Sequence, residues 1–128
     1  MSLAVLIVLI ALFIKHFVVD FLLQPAYMYK NKGTLTHPGG WVHAGLHGFA
    51  TMAILAVANV FVPLSISVAF LVMIMEIIIH YAMDFTKVNV CKKNGYTPTT
   101  HKEWFTWLGL DQTVHSLTYI AIVAIMFL

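Results

Sequence analysis

The sequence predicts an all-α integral membrane protein, a bundle of four spanning helices with one short interfacial helix before the last span. Of the 128 residues, 61% are apolar and only 9% are charged, a composition outside the range of soluble domains. The apolar residues form four continuous runs, each near the roughly 20 residues that a helix needs to cross a bilayer. A spanning sheet would need alternating polarity and a closed barrel, so the runs indicate helices.

We predict a single four-span domain over residues 1–128. The predicted spans are Ser2–Leu23, Trp41–Val62, Leu64–Phe85 and Phe105–Leu128. The first run lacks the basic start and the cleavage site of a signal peptide, so we expect it to stay as a span. A tight turn around Pro63 predicts that spans two and three form an antiparallel hairpin. Before span four, Thr100 and Glu103 have capping-box spacing, which predicts the short interfacial helix.

The distribution of lysine predicts the orientation of the bundle. There is no arginine, and every lysine lies in or beside the two long connections: Lys15, Lys30, Lys32, Lys87, Lys92, Lys93 and Lys102. By the positive-inside rule, the long loops are cytoplasmic and the termini outside, in a bacterial inner membrane. Lys15 is about two turns inside span one, so we expect it to snorkel toward that side. The single cysteine, Cys91, is placed in a cytoplasmic loop and excludes a disulfide.

Each predicted span carries two ionisable side chains four residues apart, near its cytoplasmic end. The pairs are His16 with Asp20, His43 with His47, His80 with Asp84, and Asp111 with His115. This spacing keeps both members on one helix face about one turn apart. Counted along the helices, one histidine of each span falls in a layer about 10 Å deep. That layer holds His16, His47, His80 and His115, and the other four side chains lie nearer the surface.

Histidines and aspartates that converge from four helices predict a site for one or two divalent cations. All eight paired side chains are candidate ligands, and imidazole with carboxylate favours Zn, with Mn, Fe or Ni as alternatives. The three aspartates bring three negative charges, which two divalent ions would more than neutralise. The excess positive charge would suit an anionic substrate. Glu76 lies a turn below His80, where we expect it to hydrogen-bond that imidazole and fix its tautomer.

Other uses of buried polar residues stay open. One pair alone would be read as a hydrogen bond between helices, and acids with histidines also mark proton or ion pathways. A pathway should scatter polar groups across the bilayer, whereas the outer half of this chain is almost entirely apolar. The pattern therefore favours a site at one end. His37 and His101 fall in the loops and are expected to be solvated.

Four segments carry a resemblance to a known family: KHFVVDFLLQ, HAGLHG, HYAMDFTK and DQTVHSLTY. Together they resemble DUF3307, a family of small membrane proteins from phages and bacteria catalogued as a domain of unknown function. They are also similar in pattern to the predicted membrane-bound metal-dependent hydrolases. The resemblance implies metal binding at the eight paired residues, and hydrolysis of an ester or phosphoester.

The sequence thus predicts a metal-dependent hydrolase of a lipid or phosphoester, with Asp20 or Asp111 accepting a proton from water. Lys30, Lys32 and Lys87 are placed to attract a phosphate, although the positive-inside role explains them more simply. The alternatives are a divalent-cation or proton transporter or sensor, and a phage membrane protein with a structural metal site. Membrane lipid is the expected partner, a homo-oligomer is plausible, and the weak net charge of +2 gives no case for nucleic acid.

Overall fold

The protein is described by a computed structural model over residues 3–126, in which four long helices form a bundle. The helices are α1 (Leu3–Phe17), which continues as a π-helical turn (Val18–Leu22), α2 (Ala26–Tyr29), α3 (Pro38–Ala58), α4 (Ile66–Asn94) and α5 (Lys102–Met126). All except the short α2 are long and apolar enough to cross a membrane. The predicted all-α four-helix membrane bundle is confirmed.

The four long helices form a closed ring. α3 packs against α1 and α4, and α5 packs against the same two helices from the other side. α1 and α4 therefore face each other across the centre of the bundle. A side chain that points inward from any long helix can meet side chains from the other three.

The bundle has two different ends. The apolar end, next to the termini and the α3–α4 turn, contains a buried core that includes Leu12, Leu55, Val72, Tyr119 and Ile122. The polar end, where α1 finishes and α3 begins, contains the four predicted pairs of ionisable residues. Large apolar side chains such as Phe49 and Phe70 point outward and are more than half exposed, as a lipid-facing surface requires.

α4 is longer than predicted. It continues past the expected end at Phe85 to Asn94 and stops at Gly95, whose φ of 68° is the left-handed conformation that glycine adopts easily. No proline or glycine interrupts the added turns. The positive charges of Lys92 and Lys93 near the C-terminal end interact favourably with the helix dipole. Cys91 is consequently a buried helical residue, and its predicted place in a loop was wrong.

The predicted interfacial helix before the last span is not a separate element of the described chain. Residues 97–101 form a turn, in which the His101 amide donates to the Thr97 carbonyl at 3.2 Å, and α5 then runs unbroken from Lys102. The Thr100 hydroxyl bonds to the ring of His101 at 2.6 Å instead of capping the helix. With no helix breaker after Lys102, the interfacial segment and the span join into one helix. The short helix α2 lies in the first connection instead.

A π-helical turn at the end of α1 positions Asp20. The Leu23 amide donates to the Val18 carbonyl, five residues back, at 2.9 Å, and the chain then leaves the helix before Pro25. Such wide turns occur often at functional sites. This one packs against α3 and brings the Asp20 carboxylate to the histidines of that helix.

Glycine allows α3 and α4 to approach closely beside the polar end. A Cβ atom at Gly48 would lie 2.5 Å from Ile77 Cγ1 and 3.1 Å from the Met73 carbonyl oxygen. Gly45, one turn earlier, has open space at the same position. Gly48 therefore sets the distance between the histidines of α3 and those of α4.

Candidate metal centre

Four imidazoles, one from each long helix, pack together at the polar end. His80 stacks on His47 with ring centroids 3.7 Å apart and on His115 at 4.0 Å. His16 completes the cluster, 5.2 Å from His115 and 5.6 Å from His47. The structure therefore brings together the predicted layer of four histidines.

Three histidine nitrogens converge on one carboxylate oxygen. Asp20 Oδ1 lies 2.8 Å from His43 Nε2, 3.3 Å from His47 Nε2 and 3.7 Å from His80 Nε2. The Nε2 atoms of His43 and His80 are 3.1 Å apart. These four residues form one group that could hold a metal ion.

The separations within this group resemble those of a tetrahedral coordination shell. With metal–ligand bonds of about 2.0–2.1 Å, neighbouring ligand atoms of a tetrahedron lie about 3.3–3.4 Å apart. All four side chains are buried, with at most 7% of each exposed. The Nδ1 atoms of the three histidines have no hydrogen-bond partner among the described residues. Ring stacking and helix packing therefore orient the imidazoles, and the donor set fits a divalent cation.

A second group consists of His80, Asp84 and His115. It is not independent of the first, because His80 belongs to both and its Nε2 can bind only one ion. Asp84 Oδ2 lies 3.4 Å from the Nε2 atoms of both His80 and His43, so this carboxylate touches both groups. The residues present provide one complete ligand set, and a second ion would have to share ligands with the first.

Two of the eight predicted ligands, His16 and Asp111, lie outside both groups. His16 Nε2 is 2.9 Å from Gln112 Oε1 and 3.2 Å from Asp20 Oδ2. Because both partners accept, this nitrogen donates, and the Tyr119 hydroxyl donates to Nδ1 at 2.9 Å. In this arrangement His16 orients Asp20.

Asp111 is held by three neighbours at the edge of the cluster. Its Oδ1 lies 3.1 Å from His115 Nε2. Its Oδ2 accepts from Lys87 Nζ at 2.7 Å and from the Gln112 amide at 3.2 Å. The carboxylate is thus fixed next to the metal-ligand groups without belonging to either.

Lys15 and Glu76 form a buried ion pair below the histidine layer, which corrects two predictions. Lys15 is 7% exposed, donates to Thr51 Oγ1 at 3.0 Å and lies 4.5 Å from the centre of the Tyr119 ring, so it does not snorkel. Glu76 pairs with this lysine, and no described hydrogen bond joins it to His80. The two residues meet because α1 and α4 face each other across the bundle, where each charge is the nearest available counter-ion for the other.

The family comparison adds an assignment at this point. The family model for "Protein of unknown function (DUF3307)" matches residues 8–128. The chain belongs to the DUF3307 family. No curated protein and no solved structure matches it. The predicted resemblance to DUF3307 is confirmed, and the comparisons do not link the chain to hydrolases.

Sequence reasoning missed the position of Lys32 in the DUF3307 chain. The lysine is only 6% exposed, and its Nζ lies 2.7 Å from Asp84 Oδ2 and 3.8 Å from Asp20 Oδ1. The available signal in the sequence was the adjacent glycine, Gly33, which allows the loop to pack closely on α4. The Gly33 carbonyl accepts from Asn89 of α4 at 3.0 Å, and a Cβ atom at Gly33 would lie 2.6 Å from Val88. The first loop therefore folds over the polar end and inserts Lys32 between the aspartates.

The lysines change the charge balance that the sequence suggested. Lys32 and Lys87 each form a 2.7 Å ion pair, with Asp84 and Asp111 respectively. Two of the three aspartate charges are thereby offset, and with neutral histidines one negative charge is left. A single divalent ion, rather than two, is enough to make the centre positive.

A cleft of about 190 Å³ leads from the surface to these residues. It reaches Asp20 and is bordered by both lysines, Asp111 and Gln112.

His37 and His101 lie in neither ligand group. His37 Nδ1 instead accepts from the Gly39 amide at 3.0 Å and caps α3. Neither loop histidine therefore belongs to the centre, whereas Asp20 is reached through the cleft.

Proposed function

We propose that this DUF3307 protein is a membrane-embedded, metal-dependent hydrolase that cleaves a lipid or another membrane-associated ester or phosphoester. The observation that carries the proposal is the convergence of three histidine nitrogens on Asp20 beside an open cleft. Because these four side chains already complete a tetrahedral set, water or substrate would have to enter from the cleft as a fifth ligand, an expansion that catalytic zinc sites can undergo. The distribution of lysines supports a location at the cytoplasmic face.

Asp20, His43, His47 and His80 would hold the ion. Three imidazoles and one carboxylate suit Zn best, and Mn, Fe or Ni are the alternatives. When bound, the ion supplies Lewis acidity, which polarises a carbonyl or phosphoryl oxygen and activates water near neutral pH.

Asp111 is the better placed of the two predicted proton acceptors. It borders the cleft, lies outside the ligand groups and has both oxygens oriented, by His115 and Lys87. A carboxylate in this position can accept the proton of an attacking water. Asp20 is the second candidate, but its Oδ1 lies within 3.7 Å of three histidine nitrogens, and the proposal uses it as a ligand.

The transporter alternative is disfavoured by the apolar end of the bundle. An ion or proton route needs polar groups across the whole bilayer. Beyond the Lys15–Glu76 pair, the hydrophobic core of the described residues contains apolar side chains and the Tyr119 ring, and the buried Thr118 hydroxyl donates to a carbonyl of its own helix. The chemistry is thus confined to one side.

Metal content tests the proposal. Purified protein should carry at least one transition metal per chain, measured by inductively coupled plasma mass spectrometry. His80→Ala should lower this ratio most, because His80 belongs to both ligand groups. His101→Ala is the matched control and should retain the metal. Native protein without stoichiometric metal would contradict the proposal.

Turnover separates a hydrolase from the alternatives. Asp111→Asn should abolish hydrolysis of a phosphoester or lipid substrate while the metal-to-protein ratio stays near that of the parent. Vesicles containing the purified protein should show no cation flux. Flux through the parent protein would favour the transporter, and bound metal without any turnover would favour a structural site.

A further inference from the structure

The cleft beside the candidate metal centre contains two lysines that have little access to water. Lys32 is 6% exposed, and the side chain of Lys87 is 21% exposed. Lys30, two residues from Lys32, is exposed, as are Lys92 and Lys93 on the last turn of α4. The positive-inside rule explains the exposed lysines, but it does not require Lys32 to be buried or Lys87 to be partly buried.

Lys32 and Lys87 are both paired with carboxylates of the centre. Lys32 bridges Asp84 and Asp20, and Lys87 bridges Asp111 and Asp84, at 3.8 Å or less in each case. A cation bound by Asp20 and its histidines would take over part of the negative charge that holds Lys32. The ammonium groups would then stand in a net positive site with little water, which is costly without an anion.

We infer that the cleft is a phosphate-binding subsite, in which Lys32 and Lys87 bind the phosphate of the substrate once a divalent cation occupies the centre. The inference rests on the proposed metal site and narrows its substrate to a phosphate ester. The cleft volume of about 190 Å³ holds a phosphate group and several waters. Gln24 and Gln112 lie on its wall. Their amide nitrogens donate one hydrogen each, to the Asp20 carbonyl and to Asp111 Oδ2, which leaves a second N–H on each for a phosphate oxygen.

Coupling between cation and phosphate follows from this arrangement. Because the cation weakens the hold of Asp20 on Lys32 and makes the surroundings of both lysines more positive, it raises the affinity for phosphate, and by linkage phosphate raises the affinity for the cation by the same factor. Couplings of this kind typically amount to about 5–150-fold. A cleft that merely attracts anions would bind phosphate equally with and without metal.

The test is calorimetric titration of purified protein in detergent with inorganic phosphate, before and after loading with Mn²⁺. Binding should be at least about fivefold tighter to the Mn²⁺-loaded protein, the lower bound of typical coupling. Lys32→Met and Lys87→Met should each lose most of the phosphate affinity while retaining stoichiometric Mn²⁺, which also shows that they fold. Lys30→Met and Lys93→Met are the matched controls and should bind phosphate as the parent does.

Dihexanoyl phosphatidate in place of inorganic phosphate identifies the source of the group. Tighter binding of the lipid assigns the subsite to a lipid headgroup, and equal binding assigns it to the phosphate alone. Equal phosphate affinity with and without Mn²⁺, or parent-like affinity in both lysine variants, would overturn the phosphate subsite. Neither result would contradict the proposed metal centre. A parent protein that binds no Mn²⁺ or other transition metal would instead refute the proposed function.

Discussion

Lys15 and Glu76 illustrate how single charges are accommodated inside this bundle. Both side chains are at most 5% exposed and lie between the histidine layer and the apolar core. Removal of two charges from water is expensive, and their mutual attraction offsets that cost only while both are present. The pair therefore adds little net stability, but either partner alone would be strongly destabilising.

We expect Lys15→Met to lower the free energy of unfolding by about 3–5 kcal/mol, since it leaves Glu76 buried and unpaired. The double variant Lys15→Met with Glu76→Leu should recover most of that loss, because apolar residues of similar size often replace a buried ion pair without cost. Denaturant unfolding in detergent measures both. The double variant should retain its metal, as neither residue belongs to a ligand group. A double variant less stable than Lys15→Met, or one without metal, would show that the pair has another role.

At the scale of the helices, the close approach of α3 and α4 determines the geometry of the centre. His47 stands next to Gly48 in sequence, and its ring stacks on His80 of α4. The atoms that a new Cβ would meet are Cγ1 of a β-branched side chain and a backbone carbonyl, and neither can move aside freely. Any side chain at Gly48 must therefore push the two helices apart.

Gly48→Ala should lower stability by about 1–3 kcal/mol, the usual cost of overpacking, and should weaken metal binding because His47 and His80 separate. Gly45→Ala is a matched control on the same helix. It faces open space, so its metal content should match the parent, and its unfolding midpoint should equal or exceed that of the parent because alanine favours a helix over glycine. Equal loss of stability and metal in the two variants would mean that the close approach at Gly48 does not explain the result.

The spacing of residues within each helix was enough to predict the bundle and its polar end. Hydrophobic runs identified the four spans, and the i, i+4 pairs placed four histidines in one layer. The partners of Lys15 and Lys32 could not be predicted in this way. Spacing fixes the face of one helix, whereas partner choice depends on how helices are ordered around the ring and how a loop folds. Only the ring order places Lys15 of α1 opposite Glu76 of α4.

Helix ends were predicted less well for a related reason. The end of α4 was placed at Phe85, where the apolar run gives way to lysines and polar residues. Of the residues from 86 to 94, only the lysines are good helix formers, but none is a proline or glycine. Tertiary contacts extend the helix instead, since Asn89 donates to the Gly33 carbonyl and Lys87 to Asp111. The consequence for function is direct, because Lys87 then projects from a rigid helix toward Asp111 and not from a loop.

At the scale of the whole molecule, the polarity of the two ends predicts how the bundle lies in the membrane. The turn between α3 and α4 contains no charged side chain, while the polar end carries the loops with lysine. The positive-inside rule places the polar end in the cytoplasm. In that orientation the proposed substrate would reach the centre from the cytoplasmic leaflet, and membrane lipid stays a predicted partner.

Cysteine labelling in cells tests this orientation. Cys91 is only 8% exposed on α4, so the parent protein should react poorly and serves as the background. Lys93→Cys adds an exposed thiol at the polar end, and Ser67→Cys adds one at the start of α4. An impermeant maleimide should label the Ser67 variant in intact cells and the Lys93 variant only after permeabilisation. The opposite pattern would place the centre on the outer face, where its substrate would come from the outer leaflet.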